Sequence, residues 1–61
     1  MNAYYALVAA ILKQHGYALI RQKGSHQIWN NGKQPVTVST NCESRHTANG
    51  IMKQAGIDHR F

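Results

Sequence analysis

Tyr4, Leu7, Val8, Ile11, Leu12 and His15 fall at i, i+3, i+4, i+7, i+8 and i+11, the spacing that lines one face of an α-helix. Asn2 can cap the start of this helix, and Gly16 can end it in the left-handed conformation. The period then changes. Positions 17–23 and 25–30 alternate in the manner of strands, with His26, Ile28 and Asn30 on one face and Gln27 and Trp29 on the other. Asn31-Gly32 supplies the positive φ that a hairpin wants, and Val36, Val38 and Thr40 alternate with Thr37 and Ser39 in a third strand. Pro35 has no N–H to give a ladder, so it belongs at an edge position or a strand start. A polar stretch over 39–46 separates this meander from Ala48, Ile51, Met52 and Ala55, a second helical stripe that ends at Gly56, with Ser44 or Thr47 as its cap. Gly50 inside that helix costs about 1 kcal/mol relative to alanine.

The pattern predicts an α+β domain over residues 1–61: α-β-β-β-α, a three-stranded antiparallel sheet with both helices on one face, because each helix has one apolar stripe to bury. Ile28 is the aliphatic member of the second strand, so its face, shared with His26, is expected to meet the helices, leaving Gln27 and Trp29 to face away. On the first strand, Arg21 and Lys23 project from the face opposite Ile20.

Charge narrows the partners. Seven Lys and Arg stand against only Glu43 and Asp58, a formal net charge of +5 spread over the whole length, which suits phosphate backbones or acidic proteins. A chain of 61 residues buries only about 60% of the surface its unfolded form exposes and cannot enclose a large cofactor, so none is expected. Cys42 is the only cysteine, which fits a reducing cytoplasm. Cys42 and His46 stand four apart, but no second ligand pair follows at a zinc-finger distance, so no metal site is expected. The apolar run 6–12 is far shorter than the ~20 residues of a membrane span, and no charged leader precedes it; the chain reads as soluble and unprocessed.

The candidate chemistry concentrates in Arg21-Gln22-Lys23-Gly24-Ser25-His26, where an imidazole able to accept or donate a proton follows two cations able to hold a phosphate. RNA can be cut without metal when the neighbouring 2′-hydroxyl attacks phosphorus. That reaction needs a proton acceptor, a donor to the leaving 5′-oxygen and positive charge on the non-bridging oxygens. His26 can supply the proton transfer, Arg21 and Lys23 the charge, Gly24 close approach of backbone, and Ser25 a hydroxyl to orient the ring or bind phosphate. A histidine that merely completes a small core is the competing reading of His26. His46 is a second proton-transfer group if its loop folds back towards His26. His15 reads as a cap or core residue, and His59 sits in a tail. Trp29, facing outward, would stack on a base, fill a partner interface, or simply stand half-exposed.

Gly16-Tyr17, the Arg21–His26 run, Val36-Thr37-Val38, and Thr47 followed by Ile51-Met52-Lys53-Gln54-Ala55-Gly56-Ile57 together resemble the HicA family of small toxins in order and spacing. The resemblance implies a fold similar to a double-stranded RNA-binding domain and membership of a type II toxin–antitoxin system. It further implies ribosome-independent mRNA cleavage (an mRNA interferase, hence an endoribonuclease) and neutralisation by a HicB-type antitoxin. It assigns the catalytic role to His26. The chain departs from the family where members usually carry a Pro-x-His step at the end of the third strand, for it has Ser39-Thr40-Asn41. The following loop is shorter, and the Gly-Thr before the last helix becomes His46-Thr47. The resulting expectation is RNA cleavage centred on His26, giving a 2′,3′-cyclic phosphate and a 5′-hydroxyl. The alternatives are a non-catalytic RNA-binding module or a protein-interaction domain, for which the same basic face suffices.

Overall fold

The computed structural model describes residues 4–61. The chain runs α1 (Tyr5–Gln14), β1 (Ala18–Lys23), β2 (His26–Asn30), β3 (Pro35–Ser39), α2 (Arg45–Gln54), with the strands in the order β1-β2-β3 and both pairs antiparallel. This is the expected α-β-β-β-α arrangement. Val8 and Leu12 of α1 and Ala48, Ile51 and Met52 of α2 join Trp29, Val36 and Val38 in one buried cluster, so both helices lie on the same face of the sheet. Pro35 begins β3, an edge strand, where its missing donor disrupts nothing.

Each helix ends in a glycine-dependent turn. After α1, Gly16 (φ +84°) lets its own N–H bond to Lys13 O (3.2 Å) and Tyr17 N–H bond to Leu12 O (2.9 Å). After α2, Gly56 (φ +72°) repeats this pattern with Lys53 O (3.1 Å) and, through Ile57 N–H, Met52 O (2.9 Å). These are Schellman motifs, and each delivers a buried residue, Tyr17 or Ile57, into the core. Ser44 is the cap of α2, its hydroxyl accepting from His46 and Thr47 N–H. Asn2, expected to cap α1, lies outside the described residues; at the N-cap position Tyr4 makes no side-chain cap bond.

Two expectations about faces are corrected. Leu7 is 52% exposed, because it sits about 100° around the helix from Val8, at the margin of a stripe centred on Val8 and Leu12. More consequentially, the parity of β2 is the reverse of the one predicted. Trp29 (2% exposed) and Gln27 (4%) face the helices, while His26 is exposed and Ile28 half-buried on the open side.

Hydrogen bonding explains the reversal. Gln27 Oε1 accepts from both Trp29 Nε1–H (2.9 Å) and Tyr5 Oη–H (2.9 Å), and Gln27 Nε2 donates to Gln22 Oε1 (3.0 Å). The buried carboxamide therefore satisfies the polar end of the largest core side chain, which would otherwise lose its solvent partner on burial. Among the described residues no buried side-chain nitrogen or oxygen lacks a partner.

Gln27→Leu keeps a similar volume but strips the acceptor from Trp29 Nε1–H and Tyr5 Oη–H. We expect a loss of about 1–3 kcal/mol, the usual penalty for an orphaned buried donor, read as a lower urea midpoint with an unchanged m-value. A midpoint equal to that of the unmodified protein would show that the carboxamide is not what holds this parity.

Candidate functional site

Residues directly opposite in an antiparallel pair share a face, with Cβ atoms roughly 5 Å apart. Lys23 stands opposite His26, and His26 opposite Ser39, so the open face of the sheet carries a row Lys23–His26–Ser39 across all three strands. The next row is Arg21–Ile28–Thr37. Both cations thus flank the imidazole on its own face, one beside it and one diagonal, and all three side chains are exposed.

A β-bulge makes this compatible with the core. The ladder pairs Leu19 with Trp29 but Arg21 with Ile28, which leaves Ile20 as an extra residue. In an unbroken alternation, strand parity that turns Lys23 and Arg21 outward would also turn Tyr17 outward. The bulge resets the alternation, so Tyr17 is buried while the cations stay on the open face. Tyr17 Oη–H donates to Ala55 O (2.9 Å), and Gln34 Nε2 donates to both Tyr17 Oη (2.9 Å) and Ala55 O (3.1 Å), tying the start of β1 to the end of α2.

The turn that presents His26 is fixed from two sides. Gly24 and Ser25 form a two-residue loop whose only positive φ is at Gly24 (+61°), the type II′ pattern. Gln22 Nε2 donates to Gly24 O (2.9 Å), and Thr40 N–H donates to Ser25 O (2.8 Å). A relay of side-chain bonds therefore runs from Tyr5 on α1 through Gln27 and Gln22 to this turn. Close approach is not the reason for glycine at position 24, because a Cβ there would meet nothing within 4 Å; the backbone conformation is.

The remaining candidates lie elsewhere. Trp29 is buried, so its ring is not presented to a base or a partner, and its indole is instead a core group bonded to Gln27. His46 is exposed in the first turn of α2, on the helix layer rather than beside His26, and with Lys53, His59 and Arg60 it lines a cavity of about 500 Å³. His15 is exposed at the C-cap of α1. His59 is held rather than loose: its ring meets Phe61 edge-on at 4.7 Å, and Phe61 in turn meets Tyr4 at 5.6 Å. Burial pushes the Cys42 thiol above its ordinary range, which keeps it protonated and unreactive. Among the described residues no three His, Cys, Asp or Glu side chains gather in a way that could hold a metal, and no helix is long and apolar enough to cross a membrane.

Sequence reasoning missed Ser39 as the third member of the His26 row and Gln22 as the brace of the turn. Counting the hairpin loop would have found Ser39. Asn31 Oδ1 accepts from Lys33 and Gln34 N–H (both 2.9 Å), which closes a four-residue loop and sets Asn30 opposite Pro35, and this register puts Ser39 opposite His26.

The sequence profile of one protein family, described as HicA toxin of bacterial toxin-antitoxin, matches residues 7–57, nearly the whole of the chain. No curated protein and no solved structure matches it.

Gly24→Ala forces an L-residue into a left-handed φ at the turn. We expect a loss of about 1–2 kcal/mol in urea unfolding, without any clash to relieve. A neutral substitution would mean that the turn does not need its glycine conformation.

Proposed function

The chain belongs to the HicA family of bacterial toxins, the toxin members of toxin–antitoxin systems, and on that premise we propose that it is a metal-independent endoribonuclease whose catalytic residue is His26. The observation that carries the proposal is the row Lys23–His26–Ser39 on an exposed sheet face with Arg21 alongside. A face open to solvent admits a single RNA strand without any rearrangement of the core.

In the proposed reaction, neutral His26 takes the proton from a ribose 2′-hydroxyl. The 2′-oxygen forms a bond to the adjacent phosphorus, and the bond from phosphorus to the 5′-oxygen breaks. Water protonates the leaving oxygen, so the products are a 2′,3′-cyclic phosphate and a 5′-hydroxyl. Lys23 and Arg21 neutralise charge on the non-bridging oxygens, which matters most as that charge builds in the transition state. Ser39 and Ser25 offer hydroxyls at the rim of the same row for hydrogen bonds to phosphate. Asn41 takes the place of the histidine in the family's Pro-x-His step. Its carboxamide can hold a phosphate oxygen or a water but transfers no proton, so one imidazole serves the reaction and water completes it. The natural substrate in this reading is mRNA in the cytoplasm. The activity is held in check by a HicB-type antitoxin, whose acidic surface would meet the same cations.

His26→Ala is expected to lower the cleavage rate by roughly 10²–10⁴, the usual worth of acid–base assistance, while leaving the urea midpoint nearly unchanged because the side chain is exposed. Cutting at the unmodified rate by this variant would end the catalytic assignment. Arg21→Ala and Lys23→Ala should each weaken RNA binding and flatten its dependence on salt, the slope falling by about 0.7 for every phosphate that is no longer neutralised. Cleavage should survive a chelator, with a cyclic phosphate on the 5′ fragment. A 3′-hydroxyl end would point to a different reaction.

A further inference from the structure

α2 carries a second feature that the cleavage site does not use. Gly56 turns the chain back, Ile57 anchors it in the core, and Phe61 is pinned by its N–H to Asn49 Oδ1 (2.8 Å) and by its ring against Tyr4. The intervening residues 58–60 therefore stand alongside the helix, and the space between them is the cavity of about 500 Å³. That size falls within the roughly 300–1,000 Å³ of small-ligand pockets.

His46, Asn49, Gly50 and Lys53 fall at i, i+3, i+4 and i+7, so one face of α2 forms a wall of the cavity, with Arg60 and His59 facing it. Gly50 is the telling residue. Glycine is unfavourable inside a helix, its φ is not in the left-handed region, and a Cβ added there would meet nothing within 4 Å. Neither backbone conformation nor packing within the chain requires it. What glycine does is keep open the space above the helix backbone, and that space is the cavity.

We propose that this cavity is a nucleotide subsite for the RNA strand, remote from the scissile phosphate, in which Lys53 and Arg60 hold a backbone phosphate and the base lies against the His46 and Asn49 wall. The inference rests on the reading of RNA as the substrate. Lys53 and Arg60 form no ion pair among the described residues, so their charge is available to a ligand. Imidazole planes and the Asn49 carboxamide suit an unstacked base, which an acidic protein strand does not offer. The route from the cleavage site is short. Ser39, opposite His26, ends β3, and residues 40–44 lead directly into the first turn of α2, where His46 lines the cavity.

The test uses a short mixed-sequence 2′-O-methyl RNA, which has no attacking hydroxyl and so reports binding apart from cleavage. It should shift the amide resonances of residues 46, 49, 50 and 53 and of 58–60. The double variant Lys53→Gln/Arg60→Gln should bind it roughly tenfold more weakly, with the salt slope lowered by about 0.7. Gly50→Gln should raise the melting temperature yet weaken binding, a combination that a purely structural role cannot produce. Unchanged affinity in both variants overturns the proposal, as does the absence of any binding by the unmodified protein. Shifts confined to the open sheet face, with the cavity amides responding only to polyglutamate, would assign the cavity to a protein partner and overturn it as well. Failure of the catalytic reading shows separately, as undiminished cutting by His26→Gln.

Discussion

A single buried carboxamide orders this small protein. Gln27 lies in the core layer between sheet and helices, where an unsatisfied polar group would offset much of what an aliphatic neighbour contributes. Its oxygen closes two donors, from Trp29 on its own strand and Tyr5 on α1, and its nitrogen closes Gln22 on β1. Three elements are thereby held in one register. Because side chains on a strand alternate strictly, fixing Gln27 and Trp29 inward fixes His26 outward, so the exposure of the imidazole follows from the packing of the indole.

The rest of the architecture reconciles that constraint with the ends of the chain. The extra residue in β1 allows the cations near the turn to face solvent while Tyr17, six residues before Lys23, still reaches the core. Tyr17 then meets the carbonyl of Ala55, the C-cap of α2, which has no intrahelical partner, and Gln34 from the hairpin loop completes the cluster. Glycines after both helices set where these contacts occur. The core is thus closed at one end by the Gln27 group and at the other by the Tyr17–Ala55–Gln34 group, with aliphatic side chains between them.

Much of this is legible in the sequence. The stripes of α1 and α2, the stops at Gly16 and Gly56, the cap at Ser44 and the meander all follow from period and turn chemistry. The parity of β2 does not, because Ile28 against Gln27 weighs one aliphatic residue against one amide and points the wrong way. The decisive pairing is Gln27 with Trp29, two residues apart on one face, where the amide supplies what the indole N–H requires once buried. The bulge at Ile20 leaves no compositional trace at all, since it depends on where Tyr17 and the Gly24–Ser25 turn are each anchored. Sequence pattern therefore gives the candidate segment the wrong orientation. It sets His26 at the edge of the core with its cations trailing behind, whereas the imidazole stands on the open face between Lys23 and Ser39.

This division of faces has an energetic logic. A domain of 61 residues can build one hydrophobic layer, so every polar group destined for a ligand must occupy the surface that the layer leaves over. Placing Arg21 and Lys23 together beside His26 on that surface gathers like charge on one face, with Asp58 in the segment after α2. Such a concentration lowers the stability of the fold through self-repulsion. Core packing and the cationic row therefore occupy opposite faces of the same three strands. The Gln27 carboxamide, buried on one face and one residue away from the imidazole on the other, is the point at which the two meet.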